Sequence, residues 1–222
     1  MGSITRSFAN NITTSGVLLP ASLTNNSIAN VTSYNAAVAT GNMKLLSTQT
    51  ASASATISFI TGIDSTYKEY QFWFVNIHPS VRSEQFFFNL STDSGSNYNV
   101  TKTTTSVQTF HKEDGTDTIL HYDTGRDLAQ STGFQNLSSA IGNNNDDNLC
   151  GVLTLFNPAS TTYVKHFIAT TSESYDVSGV GVYALNRFVA GYGNTTSAVN
   201  AIQFKFGSGN IDDGVILMYG IV

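Results

Sequence analysis

The sequence predicts an all-β protein: an antiparallel β-sandwich of jelly-roll type over residues 41–222, preceded by an extended N-terminal arm over residues 1–40. Three observations carry that expectation. Ser, Thr and Asn make up 75 of the 222 residues, while charged residues are only 11%, against about 25% in an average soluble domain. The first three are poor helix formers, and the Lys, Arg, Glu and Leu of amphipathic helices are scarce. Apolar residues recur with period two, or in short apolar runs of strand length. About ten such segments follow one another, separated by turn residues at the spacing of an all-β sandwich, with no repeat of solenoid period.

Residues 1–40 show no sustained period. They are rich in Asn, Thr, Ser and Ala, carry only short apolar groups such as Val17-Leu18-Leu19, and hold Pro20, which interrupts any helix there. They read as an arm that becomes ordered on a partner's surface. From Gly41 the pattern turns to period two. In Ala51–Phe59, Ala53, Ala55, Ile57 and Phe59 alternate with hydroxyl residues, as in a half-buried strand. Tyr70–Ile77 places Tyr70, Phe72 and Phe74 on one face and Trp73, Val75 and Ile77 on the other. It predicts a central strand covered on both sides, stopped by Pro79. Gln85–Leu90 carries Phe86, Phe87 and Phe88, and Thr92-Asp93-Ser94-Gly95 is a turn before a strand over Tyr98–Lys102. Val107–His111 and Thr118–Tyr122 form strands around a Glu113–Thr116 turn, and a short helix is expected near Asp127–Gln130. After the polar loop Asn143–Asn148, strands are expected at Gly151–Phe156, Tyr163–Thr170, Val180–Ala190, Ala198–Phe206 and Val215–Ile221, the last one central.

Net charge is −5, with ten basic residues scattered along the chain. That lacks the basic footprint of nucleic-acid binding and the polybasic segments that attract membranes. No apolar stretch approaches the length of a membrane span, and the N-terminus has no signal-peptide core. Cys150 is a single cysteine within an apolar run and reads as a small buried side chain. Seven Asn-X-Ser/Thr triplets, at Asn11, Asn25, Asn30, Asn89, Asn99, Asn136 and Asn194, reflect composition and are expected to be unglycosylated.

Candidate chemistry is sparse. His78, His111, His121 and His166 include no metal-spaced pair. His111 and His121 fall on adjacent expected strands near Glu113, Asp114, Asp117 and Asp123, but zinc needs three or more convergent ligands. Asn143–Asp147 and Asp212-Asp213 offer oxygens for calcium without the alternating pattern of a binding loop. Glu69, Glu84, Glu113 and Glu173 include no distinctive pair for glycoside hydrolysis, and no phosphate loop or nucleophile elbow is present. Trp73, Tyr163, Tyr175 and Tyr192 are candidates for stacking on sugars, against the plainer reading of core or subunit-interface aromatics. No catalytic, cofactor-binding or metal-ligating residue is assigned, and no cofactor is expected.

Residues 41–79 (GNMKLLSTQTASASATISFITGIDSTYKEYQFWFVNIHP) resemble a family of tailed-bacteriophage virion proteins. So do 86–103 (FFFNLSTDSGSNYNVTKT), 155–167 (LFNPASTTYVKHF) and 190–221 (AGYGNTTSAVNAIQFKFGSGNIDDGVILMYGI). Residues 7–18 look like the arms that precede such modules, and residues 111–148 match least. The resemblance implies a non-enzymatic jelly-roll module on the virion, as capsid decoration, cement or head or tail fibre. Its expected partners are other capsid or tail proteins, reached through residues 1–40 by strand addition to an exposed edge. A homo-oligomer is expected, a trimer by preference. The second reading is a receptor- or carbohydrate-binding module facing a host-surface glycan; a polysaccharide depolymerase is the third.

Overall fold

The computed structural model describes residues 42–177 and 181–222, and within the first forty residues only the backbone of two short strands. The chain divides into two units, Met1–Thr40 and Gly41–Val222. In the first, β1 (Ile12–Thr13) pairs antiparallel with β2 (Gly16–Val17). The rest of the expected arm lies outside the described residues.

The second unit is all-β. Its strands are β3 (Met43–Thr50), β4 (Ile57–Phe59), β5 (Glu69–Pro79), β6 (Phe86–Ser91), β7 (Lys102–Lys112), β8 (Thr118–Tyr122), β9 (Gln135–Asn136), β10 (Leu149–Phe156), β11 (Lys165–Val177), β12 (Gly181–Gly193), β13 (Ala201–Phe206) and β14 (Ile211–Ile221). They form an eight-stranded antiparallel sheet, β3-β14-β5-β10-β11-β12-β7-β8, and a four-stranded one, β4-β13-β6-β9.

Eight of these strands make a jelly roll. The antiparallel pairs β3·β14, β4·β13, β5·β10 and β6·β9 are the rungs of one long double strand rolled into two four-stranded layers. The other four strands are insertions: β7–β8 between β6 and β9, and β11–β12 between β10 and β13. All four extend the larger sheet beyond β10.

Between the layers lies an aromatic core. The Phe204 ring of β13 packs 5.2 Å from Phe74, 5.6 Å from Phe72 and 5.9 Å from Phe86, centroid to centroid. Phe59 closes on Phe72 at 5.4 Å, edge to face. Offset and edge-on contacts of this kind add about 0.5–1.5 kcal/mol per pair to the burial of the rings.

The structure corrects several expectations. The alternation over residues 51–59 is not one strand. Ala53 turns to φ +48°, Ala53 and Ala55 are exposed, and only Ile57–Phe59 forms a strand, paired with β13, while Ser54 makes an isolated bridge to Ile211. Ahead of it, Met43–Thr50 is the strand that pattern reading missed. Tyr98–Lys102 is not a strand; β7 begins at Lys102.

No helix forms over Asp127–Gln130. Backbone N–H groups there donate to β7 hydroxyls instead, Leu128 to Thr104 Oγ1 at 2.8 Å and Gln130 to Thr103 Oγ1 at 3.2 Å. Tyr70–Ile77 lies inside the sheet as expected, but only one of its faces is covered by the second layer. Trp73 stands 41% exposed on the other. Ile77 joins the Phe74 face because Asn76, at φ +52°, inserts a bulge that reverses the phase. Opposite it, Gly214 (φ +116°) is required, since a Cβ there would sit 2.6 Å from Asn76 O.

Candidate functional site

The inner face of the larger sheet changes character along its width. Under β5, β10 and β14 the inner face is apolar. Under the inserted strands buried polar and charged residues, Lys102, Ser106, Gln108, Lys165, Thr171, Glu173 and Arg187, are interleaved with apolar ones such as Phe167, Ala169, Leu185 and Val189.

Residues 134–141 run beneath them. Gln135 Oε1 accepts from Thr104 Oγ1, Leu137 O accepts from Thr171 Oγ1, and Ser139 N donates to Glu173 Oε1. Arg187 is the hub of this layer. Its Nη1 donates to Ser106 Oγ at 2.8 Å and Asp123 Oδ2 at 3.1 Å, and its Nη2 to Ser139 Oγ at 2.8 Å and to Gln108 Oε1. Arg126 Nη1 adds a second cation on Asp123 Oδ2 at 3.0 Å. Burial works against the charge of Asp123, yet Arg126 and Arg187 outweigh it and hold its carboxyl below the usual range.

Glu173 shows the opposite balance. Burial pushes it up to about 7, only partly offset by the Ser139 N–H and by Arg187, and its Oε2 makes no hydrogen bond. Burial likewise brings Lys102 down to about 7, although its Nζ donates to Asn89 Oδ1 and to Val100 O.

Among the described residues the outer face carries little charge, and its central cross-strand rows carry none. Thr48, Leu217, Trp73, Val152, Thr170, Phe188, Val107 and Tyr122 are successive cross-strand partners, one from each strand in sheet order. A neighbouring row runs Leu45, Tyr219, Gln71, Thr154, Ile168, Ala190, Thr105. Polar groups within this face satisfy one another: Trp73 Nε1 donates to Gln71 Oε1 at 3.0 Å, and Gln71 Nε2 donates to Glu69 Oε1 at 2.9 Å. Trp73 also meets the Tyr219 ring edge-on at 5.9 Å. A shallow depression of about 530 Å³ lies on this face around Ala190 and Gly191, walled by Tyr192, His166, Phe156 and Thr105.

Residues singled out from sequence fall in several places. His111 and His121 are on adjacent strands but opposite faces: His121 pairs with the inward Gln108, whereas His111 pairs with Thr118 on the outer side. Asp114 turns back to Lys112 Nζ at 2.8 Å and to Thr116.

The loop Asn143–Asp147 and the pair Asp212-Asp213 do come together. With Asn76 and His78 they border one depression of about 330 Å³. Asp147, however, spends both oxygens within the protein, on Asn144 and Ser174, and Asp213 Oδ1 accepts from Gly214 N. Among the described residues no group of three or more His, Cys, Asp or Glu is arranged to hold a metal ion.

Glu69, Glu84 and Glu173 are engaged by Gln71, Ser208 and Ser139 respectively. Tyr163 is exposed, Tyr192 lies against His166, and Tyr175 against Tyr183, so the four candidate stacking aromatics do not form one platform. Cys150 corrects its expectation: it is half-buried on the outer face, its Sγ accepting from Asn76 N at 3.3 Å. Among the described residues no helix is long and apolar enough to cross a membrane.

The fold and these surfaces define a jelly-roll sandwich widened on one side, with charge sealed inside its extension and a broad neutral face outside. No protein-family model, curated protein or solved structure matches the chain.

Proposed function

We propose that the chain is a non-enzymatic structural component of a bacteriophage virion, a jelly-roll module mounted on the particle through residues 1–40 as capsid decoration, cement or fibre protein. Its partners are then other capsid or tail proteins, and its location is the virion. The observation that carries the reading is the division of labour in the larger sheet. Glu173 and Lys102, whose protonation is perturbed by burial, are sealed inside it, whereas catalytic acids and bases work where substrate can reach them. What the protein offers outward is a wide neutral sheet, suited to contact with other proteins. The resemblance of residues 41–79, 86–103, 155–167 and 190–221 to virion proteins points the same way.

The test is a reconstruction of the intact particle, together with deletion of residues 1–40. The truncated chain is expected to fold and to be lost from particles. Its retention in particles would remove the arm from the anchoring role.

A second reading, a glycan- or receptor-binding module, is favoured by one observation: the depression beside Tyr192 and His166 combines ring faces with the Thr105 hydroxyl. Binding on a glycan array that is lost in Tyr192→Ala would support it.

A further inference from the structure

We propose that the outer face of the eight-stranded sheet is the interface with the same face of a second copy of this chain. The proposal rests on the expectation of a homo-oligomer drawn from the sequence, with a two-fold dimer in place of the trimer. It is decided in solution, so its failure leaves the particle test untouched.

The argument starts from the large apolar side chains that the outer face exposes, Leu45 and Trp73 among them. A sheet that meets water on one side places polar residues there and apolar ones inside. Here β12 buries Arg187 and presents Phe188, 41% exposed, while Ile168 and Leu120 stand 41% and 72% exposed on β11 and β8. Arg187, Glu173 and Lys102 are ionisable groups placed where solvent does not reach, beside buried apolar residues such as Leu185 and Phe167, while further apolar side chains of the same sheet face outward. That arrangement fits a sheet covered on its outer side as well.

The size of the face matches such a cover. Each outward residue occupies about 32 Å² of a sheet, so roughly thirty of them span about 1,000 Å². A stable protein interface takes about 800 Å² from each partner.

Charge selects the occupant. The two cross-strand rows named above hold no formally charged residue among them, and Glu69 flanks them, while the chain as a whole carries −5. A partner recognised by complementary charge would find almost none to read. A neutral face meets its own copy without like-charge repulsion. Two sheets of the same twist also nest face to face at about −30°, and pairing one patch with itself closes a two-fold dimer.

The experiment is sedimentation equilibrium of the full-length chain and of Phe188→Asp, with circular dichroism as the check on folding. The wild-type chain is expected to dimerise, with a melting temperature that rises with protein concentration. The variant is expected to keep its fold and to weaken association about 100-fold or more, as for a charge placed in an interface centre. Should Phe188→Asp unfold, Leu120→Lys, on the edge strand, asks the same question at a more exposed position. A monomeric wild-type chain overturns the proposal. So does an oligomer whose association neither folded variant weakens.

Discussion

Arg187 and Phe188 are neighbours on β12 with their usual environments exchanged: the guanidinium is fully buried and the ring is 41% exposed. The strand geometry makes this an all-or-none choice, because successive side chains point to opposite faces. Once Arg187 is committed to Ser106, Asp123, Gln108 and Ser139, Phe188 has no way inward. The same coupling acts on β7, where Gln108 turns inward and Val107 outward.

The buried guanidinium should therefore be expensive to remove. Arg187→Ala leaves the Asp123 carboxylate and the Gln108 and Ser139 side chains without it in a water-poor layer. The expected loss is about 3–5 kcal/mol, read as a lower urea midpoint at unchanged slope. Arg187→Lys restores charge but not the two-pronged geometry and should recover only part of the loss. A loss under about 1 kcal/mol in Arg187→Ala would mean that the hub contributes little.

Glu173 makes stability fall as pH rises. Its carboxyl is pushed up to about 7 in the folded chain, from an ordinary 4.5. Between those values the folded state holds a proton that the unfolded state has released, so raising pH favours unfolding. The decline should total about 3 kcal/mol, starting near pH 4.5 and complete just above pH 7. In Glu173→Gln this part of the pH profile, followed by chemical denaturation, should be flat.

Lys102 has the opposite slope on the other side of neutrality. Its ammonium is brought down to about 7 from 10.5. Between those values the unfolded chain carries the proton and the folded chain does not, so stability climbs as pH rises towards 10.5, by about 4–5 kcal/mol. Together the two groups place a trough in the stability profile near pH 7. Lys102→Met should erase the alkaline limb and leave the acidic one.

Legibility in the sequence followed burial. β5, β6, β8 and β10 were readable because aromatic or aliphatic runs of strand length are bounded by turns. β3 was not, since most of its residues are exposed at the sheet edge and the inward side carries no apolar stripe. Ala51–Phe59 alternated convincingly, but alanines contribute too little burial to hold a strand once Ala53 turns. The polar layer was hidden for a related reason. Period-two reading assigns apolar residues to the inside, and in TKTTTSVQTF it is Lys102, Thr104, Ser106 and Gln108 that turn inward. That the loop Asn143–Asp147 meets Asp212 and His78 depends on the roll of the chain, which no local pattern carries.

Two glycines separate close packing from backbone conformation. At Gly191 the backbone is ordinary strand, but a Cβ would lie 2.6 Å from Thr103 O and 2.9 Å from Thr104 Cα on the paired β7. Those are backbone atoms held in a ladder on both sides, so the strands would have to separate. At Gly115, in the β7–β8 turn, nothing lies within 4 Å, and the constraint is φ +73° alone. Gly115→Ala should then lose only the left-handed backbone preference, about 1 kcal/mol. Gly191→Ala should lose more, about 2–4 kcal/mol, in the range of core overpacking and its backbone shifts. Thermal melts of the two variants side by side are the measurement. Equal losses would show that the β7·β12 ladder yields more easily than its register suggests.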